Sequence, residues 1–270
     1  MLNTVTLNTD VVLTQYLSQF LTERRLRLID GVLESRSRYI TCLLEDIYQS
    51  QNASAIVRSC ECCGLQEIHV AEETNPLHYN PLVLRGADRW IDVIRHPRDE
   101  RPAIDTSGER PGHERPAIDG RGERPGHERP VLDRRGERPA LESALSALRK
   151  GGYRIVAATP HANDSDVEGF DLEGGPFALV MGNEKRGVSQ AVMAVADAFV
   201  RIPMFGFTES FNVSVSAGIL LSQLAVRLRA SDISWQLSDS EKRRLRLEWV
   251  KLSLRNPEAL IARFYERPKE

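Results

Sequence analysis

Phe177-Ala178-Leu179-Val180-Met181-Gly182-Asn183-Glu184-Lys185-Arg186-Gly187 is the stretch on which the fold turns. Five apolar residues run without alternation and stop at a glycine. A strand with one wet face alternates apolar and polar side chains, whereas a strand covered on both faces does not. The run therefore predicts a central strand of a sheet buried on both sides. Ser189 follows as a helix N-cap, with the helix reaching about Ala196.

The same order of strand, turn and helix extends outward in both directions. Short strands are predicted at 154–158, 199–202, 39–44, 68–70 and 90–94. One helix is predicted over 11–34, with Leu13, Leu17, Phe20, Leu21 and Leu28 on one side and Gly31 near its end. A second runs from Asn52 to Cys63. Its apolar positions Ala53, Ile56, Val57 and Cys60 fall at i, i+3, i+4 and i+7, and Gly64 stops it. Leu141 to Lys150 and Asn212 to Leu228 complete the set. Buried strands alternating with helices give an α/β fold: a mostly parallel sheet with helices on both faces. Such sheets bind ligands beyond the carboxyl ends of their strands. Functional loops are expected after Leu44, Ala158, Met181 and Ile202.

The 270 residues are 41% hydrophobic and 27% charged, with a formal net charge of −2. These values suit one or two globular domains and give no general attraction for a polyanion, so any nucleic-acid reading must rest on local patches. No apolar run approaches the roughly 18 residues of a membrane span, and the N-terminus lacks a basic region followed by an apolar one, so neither a span nor a signal peptide is expected. Cys42, Cys60, Cys62 and Cys63 read as reduced thiols of a cytoplasmic protein, with a redox or metal site as the alternative. Residues 100–141 repeat a 14-residue unit three times, beginning ERPAID or ERPVLD, with two prolines in each unit. Arginines and acids balance there, and proline denies the segment helix or central strand. It reads as an inserted, solvated loop, or alternatively as an arm that touches RNA or a partner.

Three loops carry polar groups suited to chemistry. After the first strand, Asn52 stands where a helix begins and Arg58 lies inside that helix. Asn52 reads as an N-cap or a site residue; Arg58 reads as a solvent-facing residue or as a phosphate ligand near the helix N-terminus. After Met181, Gly182 allows a ligand to approach backbone and Glu184 adds a carboxylate; the loop is neither GxGxxG nor a Walker loop. After Ile202, Pro203 and Gly206 mark an irregular loop, and Ser210 and Asn212 lead into a helix of small residues, as caps or as site groups.

Taken together, the three segments resemble the SpoU branch of the SPOUT methyltransferases: N-x5-R at Asn52 and Arg58, G-N-E-x-x-G from Gly182 to Gly187, and I-P-M-x-G-x-x-x-S-x-N-V-S from Ile202 to Ser214. The resemblance covers roughly residues 36–230 without the repeats. Within the branch the chain is most like the tRNA guanosine 2′-O-methyltransferases of the TrmH type. The resemblance implies a C-terminal trefoil knot, a homodimer with sites at the subunit interface, and S-adenosylmethionine as donor. It divides the chain into an N-terminal helical extension (1–37), a catalytic domain with the repeats inserted (38–230) and a C-terminal basic helix (231–270). It assigns Thr159, Gly182, Ile202 and Phe211 to the cofactor, with Phe211 in place of the usual Leu. Asn52, Arg58, Glu184, Ser210 and Asn212 fall at its active-site positions.

The reaction implied is methylation of a ribose 2′-hydroxyl in tRNA, at the D-loop guanosine, with no metal. Ribosomal RNA is the alternative substrate, and a catalytically silent RNA-binding protein the alternative class. A guanidinium stays protonated at ordinary pH, so Arg58 is expected to bind phosphate and steady the nascent alkoxide rather than remove a proton. Basic residues for the RNA are expected on the terminal helices, at Arg24, Arg25 and Arg27 and at Arg243 and Arg244, with solvated helix faces as the alternative. Residues 227–270 carry eleven Lys and Arg against seven Asp and Glu.

Overall fold

The computed structural model describes residues 2–98, 138–160 and 165–266. All but the last four residues of the repeat block lie outside these. Among the described residues the strands are β1 (Ile40–Glu45), β2 (Glu67–Glu72), β3 (Asp92–Pro97), β4 (Arg154–Ala158), β5 (Ser165–Asp166), β6 (Phe177–Met181) and β7 (Ala198–Arg201). They form one sheet in the order β3-β2-β1-β6-β4-β7-β5, with every pair parallel. The helices are α1 (Leu2–Ser18), α2 (Glu23–Glu34), α3 (Ser50–Cys62), α4 (Pro81–Leu84), α5 (Pro139–Lys150), α6 (Gln190–Val195), α7 (Val213–Arg229), α8 (Asp239–Ser253) and α9 (Pro257–Tyr265).

Side chains alternate across the sheet, so each apolar strand feeds two cores. Cys42, Leu44, Ile68, Val156, Leu179 and Met181 pack with residues of α3 and α7. Leu43, Ala71, Ile155, Ala157, Ala178 and Val180 pack with α5 and α6. A third cluster joins both ends of the chain: Leu13, Leu17, Ile29 and Leu33 meet Leu245, Trp249 and Val250. Arg246 pairs with Asp30 at 2.6 Å and Lys242 with Glu34 at 2.5 Å, tying α8 to α2.

Four expectations change. The N-terminal helix is two helices, because the chain turns at residues 19–22 and the Thr22 hydroxyl accepts from the Arg25 N–H at 3.2 Å to start α2. Leu13 and Leu17 are buried, but Phe20 and Leu28 are about half exposed, and α2 runs through Gly31. Asn52 is not an N-cap: α3 begins at Ser50, Gln49 holds the cap position, and Asn52 is buried in the first turn. The end of the repeat block is helical, with Pro139 in the first turn of α5, where its missing N–H costs nothing, and with Ala140 and Leu141 fully buried. The C-terminal segment holds two helices, α8 and α9.

Candidate active site

The loops leaving β4, β6 and β7 converge at the carboxyl edge of the sheet around a cleft of about 470 Å³. Thr159, Gly182, Glu184, Ile202, Ser210, Phe211 and Asn212 all line it, as do Met204 and Leu220. The β6 loop is drawn tight. Gly187 (φ +66°) donates its N–H to the Asn183 carbonyl at 2.7 Å. A β-carbon on Gly182 would stand 2.2 Å from the backbone of Gly187 and Val188, so only glycine fits there.

Glu184 reaches from this loop to the start of α3. One carboxylate oxygen accepts from the Tyr48 N–H at 2.8 Å; the other accepts from the Gln49 N–H at 3.0 Å and from Asn52 Nδ2 at 2.9 Å. A carboxylate at a helix N-terminus meets unpaired N–H groups and the positive end of the dipole. Burial would raise this carboxyl, but the Asn52 amide and the two backbone N–H groups hold it below the ordinary glutamate value. Asn52 Oδ1 in turn accepts from Asn212 Nδ2 at 3.2 Å. Asn212 caps α7, accepting from the Ser214 N–H at 2.8 Å. One hydrogen-bonded chain thus joins the three loops read as chemical from the sequence.

Arg58 stands apart. Six residues beyond Asn52, it is turned about 240° around the helix axis. It lines a second groove, on the α2 and α8 side, and its Nη1 donates to the Val83 carbonyl at 3.2 Å. Within one chain it does not line the cleft. The terminal basic residues differ among themselves. Arg27 pairs with Glu23, and Arg244 with Glu248 at 3.0 Å, each within its own helix. Arg25 Nε donates to the Ser253 hydroxyl at 3.0 Å. Arg24 and Arg243 are exposed.

Asp46 is the organiser that sequence reading passed over. It is buried with φ +52°, a conformation few residues with a β-carbon adopt. Its carboxylate accepts from the Thr74 and Asn75 N–H groups, each at 2.8 Å, and from Arg186 Nη2 at 3.0 Å. Its carbonyl accepts from Asn183 Nδ2 at 2.6 Å. Beside it, buried Glu45 accepts from Arg138 and from the Ser189 N–H, which anchors α6. The signal available was position alone: both acids sit at the carboxyl end of β1. Among the described residues, no cluster of three His, Cys, Asp or Glu could hold a metal ion.

The family model described as the SpoU rRNA Methylase family matches residues 135–222. The tRNA (guanosine(18)-2'-O)-methyltransferase of Borreliella burgdorferi is 32% identical over 240 residues, spanning 89% of this chain and 90% of the relative. The protein of the same name from Thermus thermophilus is 28% identical over 200 residues, 74% of this chain and 81% of the relative. In fold, the chain is similar to the crystal structure of a TrmH/SpoU tRNA modifying enzyme from A. aeolicus. That similarity has a TM-score of 0.61 at 24% identity and covers 86% of this chain and 98% of the other.

Proposed function

The chain belongs to the SpoU methylase family, and from that premise we propose that it transfers a methyl group from S-adenosylmethionine to the 2′-hydroxyl of a guanosine in tRNA, the residue numbered 18 in its relatives' names. The observation that carries the reading is the hydrogen-bonded chain from Glu184 through Asn52 to Asn212, set beside a cleft lined by Thr159, Gly182, Ile202, Ser210 and Phe211.

The cleft fits the donor. Val200, Ile202, Met204, Phe211 and Leu220 give apolar walls suited to an adenosyl group, and Thr159, Ser210 and Glu184 give polar atoms suited to a charged amino-acid tail. Gly182 lines the cleft, and its missing side chain lets the Gly187–Val188 backbone fold against it and fix the loop's shape. When bound, the sulfonium supplies an activated methyl and needs no metal. The chain's part is to hold the ribose in line with that methyl and to stabilise negative charge on its oxygen. Ser210 and Asn212 stand at the mouth to orient the sugar, and Glu184 and Asn52 fix the α3 N-terminus beside it.

Arg58 completes the site from the neighbouring subunit of a homodimer. Its own cleft is out of reach, while α3 and α7 present an outer face on which Val215, Ser222 and Val226 are exposed. There the guanidinium holds the RNA phosphate and steadies the nascent alkoxide. The branch's trefoil knot and a cytoplasmic location belong to the same reading; all four thiols are free, and no described helix is long and apolar enough to cross a membrane. The test is methyl transfer from labelled S-adenosylmethionine to tRNA transcripts, with and without the target guanosine, and to ribosomal RNA fragments. We expect incorporation in tRNA alone, lost when the guanosine is replaced. Arg58→Lys keeps the charge but not the planar fork, and should cut turnover at least about a hundredfold, a typical worth for one fixed charge-stabilising group, while cofactor binding survives. Near-normal turnover in that variant would remove Arg58 from the reaction.

A further inference from the structure

A second groove, of about 360 Å³, lies between α2, α3, the turn at 85–90 and α8. Its floor is apolar: Leu28, Ile29, Leu84, Ala87 and the indoles of Trp90 and Trp249, which meet edge to face at 5.8 Å. Its rim is cationic. Arg25, Arg58 and Arg85 line it, with Arg36 buried beneath, and Arg89 stands beside them, 5.6 Å from the centre of the Trp90 ring, which Arg25 also approaches at 5.0 Å. Glu61 is the one acid in the lining, and it is taken by Arg36 at 2.5 Å.

The other guanidiniums are fixed by neutral oxygens. Arg25 bonds to the Ser253 hydroxyl, Arg58 to the Val83 carbonyl, and Arg89 to the Leu252 carbonyl at 2.8 Å. Neutral acceptors orient a guanidinium without neutralising it. Arg85, exposed and held at φ +56° at the end of α4, shows no carboxylate partner among the described residues. An apolar slot rimmed by oriented, uncompensated arginines matches an aromatic heterocycle that carries a phosphate. Bare phosphate would make no use of the floor, and an apolar side chain no use of the rim.

We propose that this groove binds a nucleotide of the RNA substrate other than the one methylated, with its base against Leu28, Leu84 and Trp90 and its phosphate between Arg25 and Arg85. The inference rests on the tRNA reading above and extends it to residues of the 81–90 segment. The groove and the cleft share α3: Asn52 belongs to the cleft end and Arg58 to the groove, about 9 Å apart along the axis at 1.5 Å per residue. Arg58 faces away from its own chain's cleft and, in the reading above, toward the neighbouring subunit's, so one RNA strand can run from this groove to the neighbouring cleft.

The experiment compares wild-type protein with Arg25→Gln/Arg85→Gln, using an unmodified tRNA transcript. Binding is measured across a salt series, methylation as KM and kcat, S-adenosylmethionine binding by calorimetry, and oligomeric state by light scattering. We expect the tRNA Kd and KM to rise about tenfold and the slope of log Kd against log salt to fall by about 0.7–0.9, the loss of one neutralised phosphate, with kcat and cofactor binding unchanged. In wild-type protein, tRNA carrying 4-thiouridine should cross-link to the peptide that contains Trp90. Unchanged affinity and slope would overturn the proposal. So would cross-links that avoid that peptide, or a loss of binding that comes with dissociation of the oligomer. If the variant does not fold, the wild-type cross-link decides. A wild-type enzyme that methylates tRNA and equals its variant defeats the groove alone; one that methylates no tRNA defeats the tRNA reading and the groove with it.

Discussion

Gly182 and Glu184 show how little freedom the β6 loop has. At Gly182 even a methyl group meets backbone at 2.2 Å, and backbone cannot swing aside as a side chain can. Gly182→Ala should therefore cost about 1–3 kcal/mol of stability through overpacking and abolish the heat of S-adenosylmethionine binding in calorimetry. Glu184 works by charge and geometry together. Its two oxygens take three N–H donors, and glutamine can offer only one acceptor oxygen, with an NH2 opposed to a backbone N–H. Glu184→Gln should lower unfolding free energy at pH 7 by about 1–2 kcal/mol, in line with hydrogen bonds to a charged group. The effect has a definite pH sense. This carboxyl is held lower in the folded chain than its ordinary value of 4.5. Its stabilisation is therefore complete above that value and fades as pH falls through the folded one. Urea melts of the two proteins should differ at pH 7 and draw together as the pH falls below 4.5 and through the carboxyl's lowered folded value; a gap that persists in acid would show that shape, not charge, holds the loop.

At the scale of elements, the sheet was legible because burial on two faces leaves a plain mark. β4 and β6 were read to the residue, since Ile155-Val156-Ala157 and Phe177 to Met181 are apolar throughout and end at turn formers. The convergence of the Glu184, Ser210 and Asn212 loops was legible too, because parallel strands deliver their C-terminal loops to one edge. The break at residues 19–22 was not: Leu13, Leu17, Phe20 and Leu21 keep a helical period straight through it, and only a tertiary partner decides where it stops. That partner is α8, whose Leu245 is fully buried against α1 and α2. Asp46 was hidden for a related reason, since one acid after a strand carries no period and its partners at 74, 75, 183 and 186 are distant in sequence. Placing the two chain ends in one core leads to a test. Leu245→Ala should cost about 2–5 kcal/mol and loosen the terminal helices from the sheet. If those helices serve the RNA, tRNA affinity in that variant should fall before cofactor affinity does, as read by filter binding beside calorimetry. Equal losses would mean that the terminal cluster supports the cleft itself.

For the whole molecule, the placement of Arg58 outside its own cleft makes the proposed dimer part of the proposed chemistry. One chain brings Asn52, Glu184, Ser210 and Asn212 to its own cleft and turns Arg58 away. A protein that needs all five must supply the arginine from a second copy. The stripe of Val215, Ser222 and Val226 on α7 is the face available for it, with Val226 66% exposed and Val215 47%. A charge at the centre of such a face is costly on association. Val226→Glu should therefore give a folded monomer by light scattering that cannot methylate. The sharper test mixes two inactive proteins, Arg58→Ala and Ser210→Ala. Each homodimer lacks one component at both sites. After exchange of subunits, half of the dimers are mixed; in each of these, one site carries both lesions and the other carries neither. About a quarter of wild-type activity should return, from the statistics of a two-fold dimer. If each chain completed its own site, every site in the mixture would keep one lesion and no activity would appear, which would place Arg58 outside a shared centre.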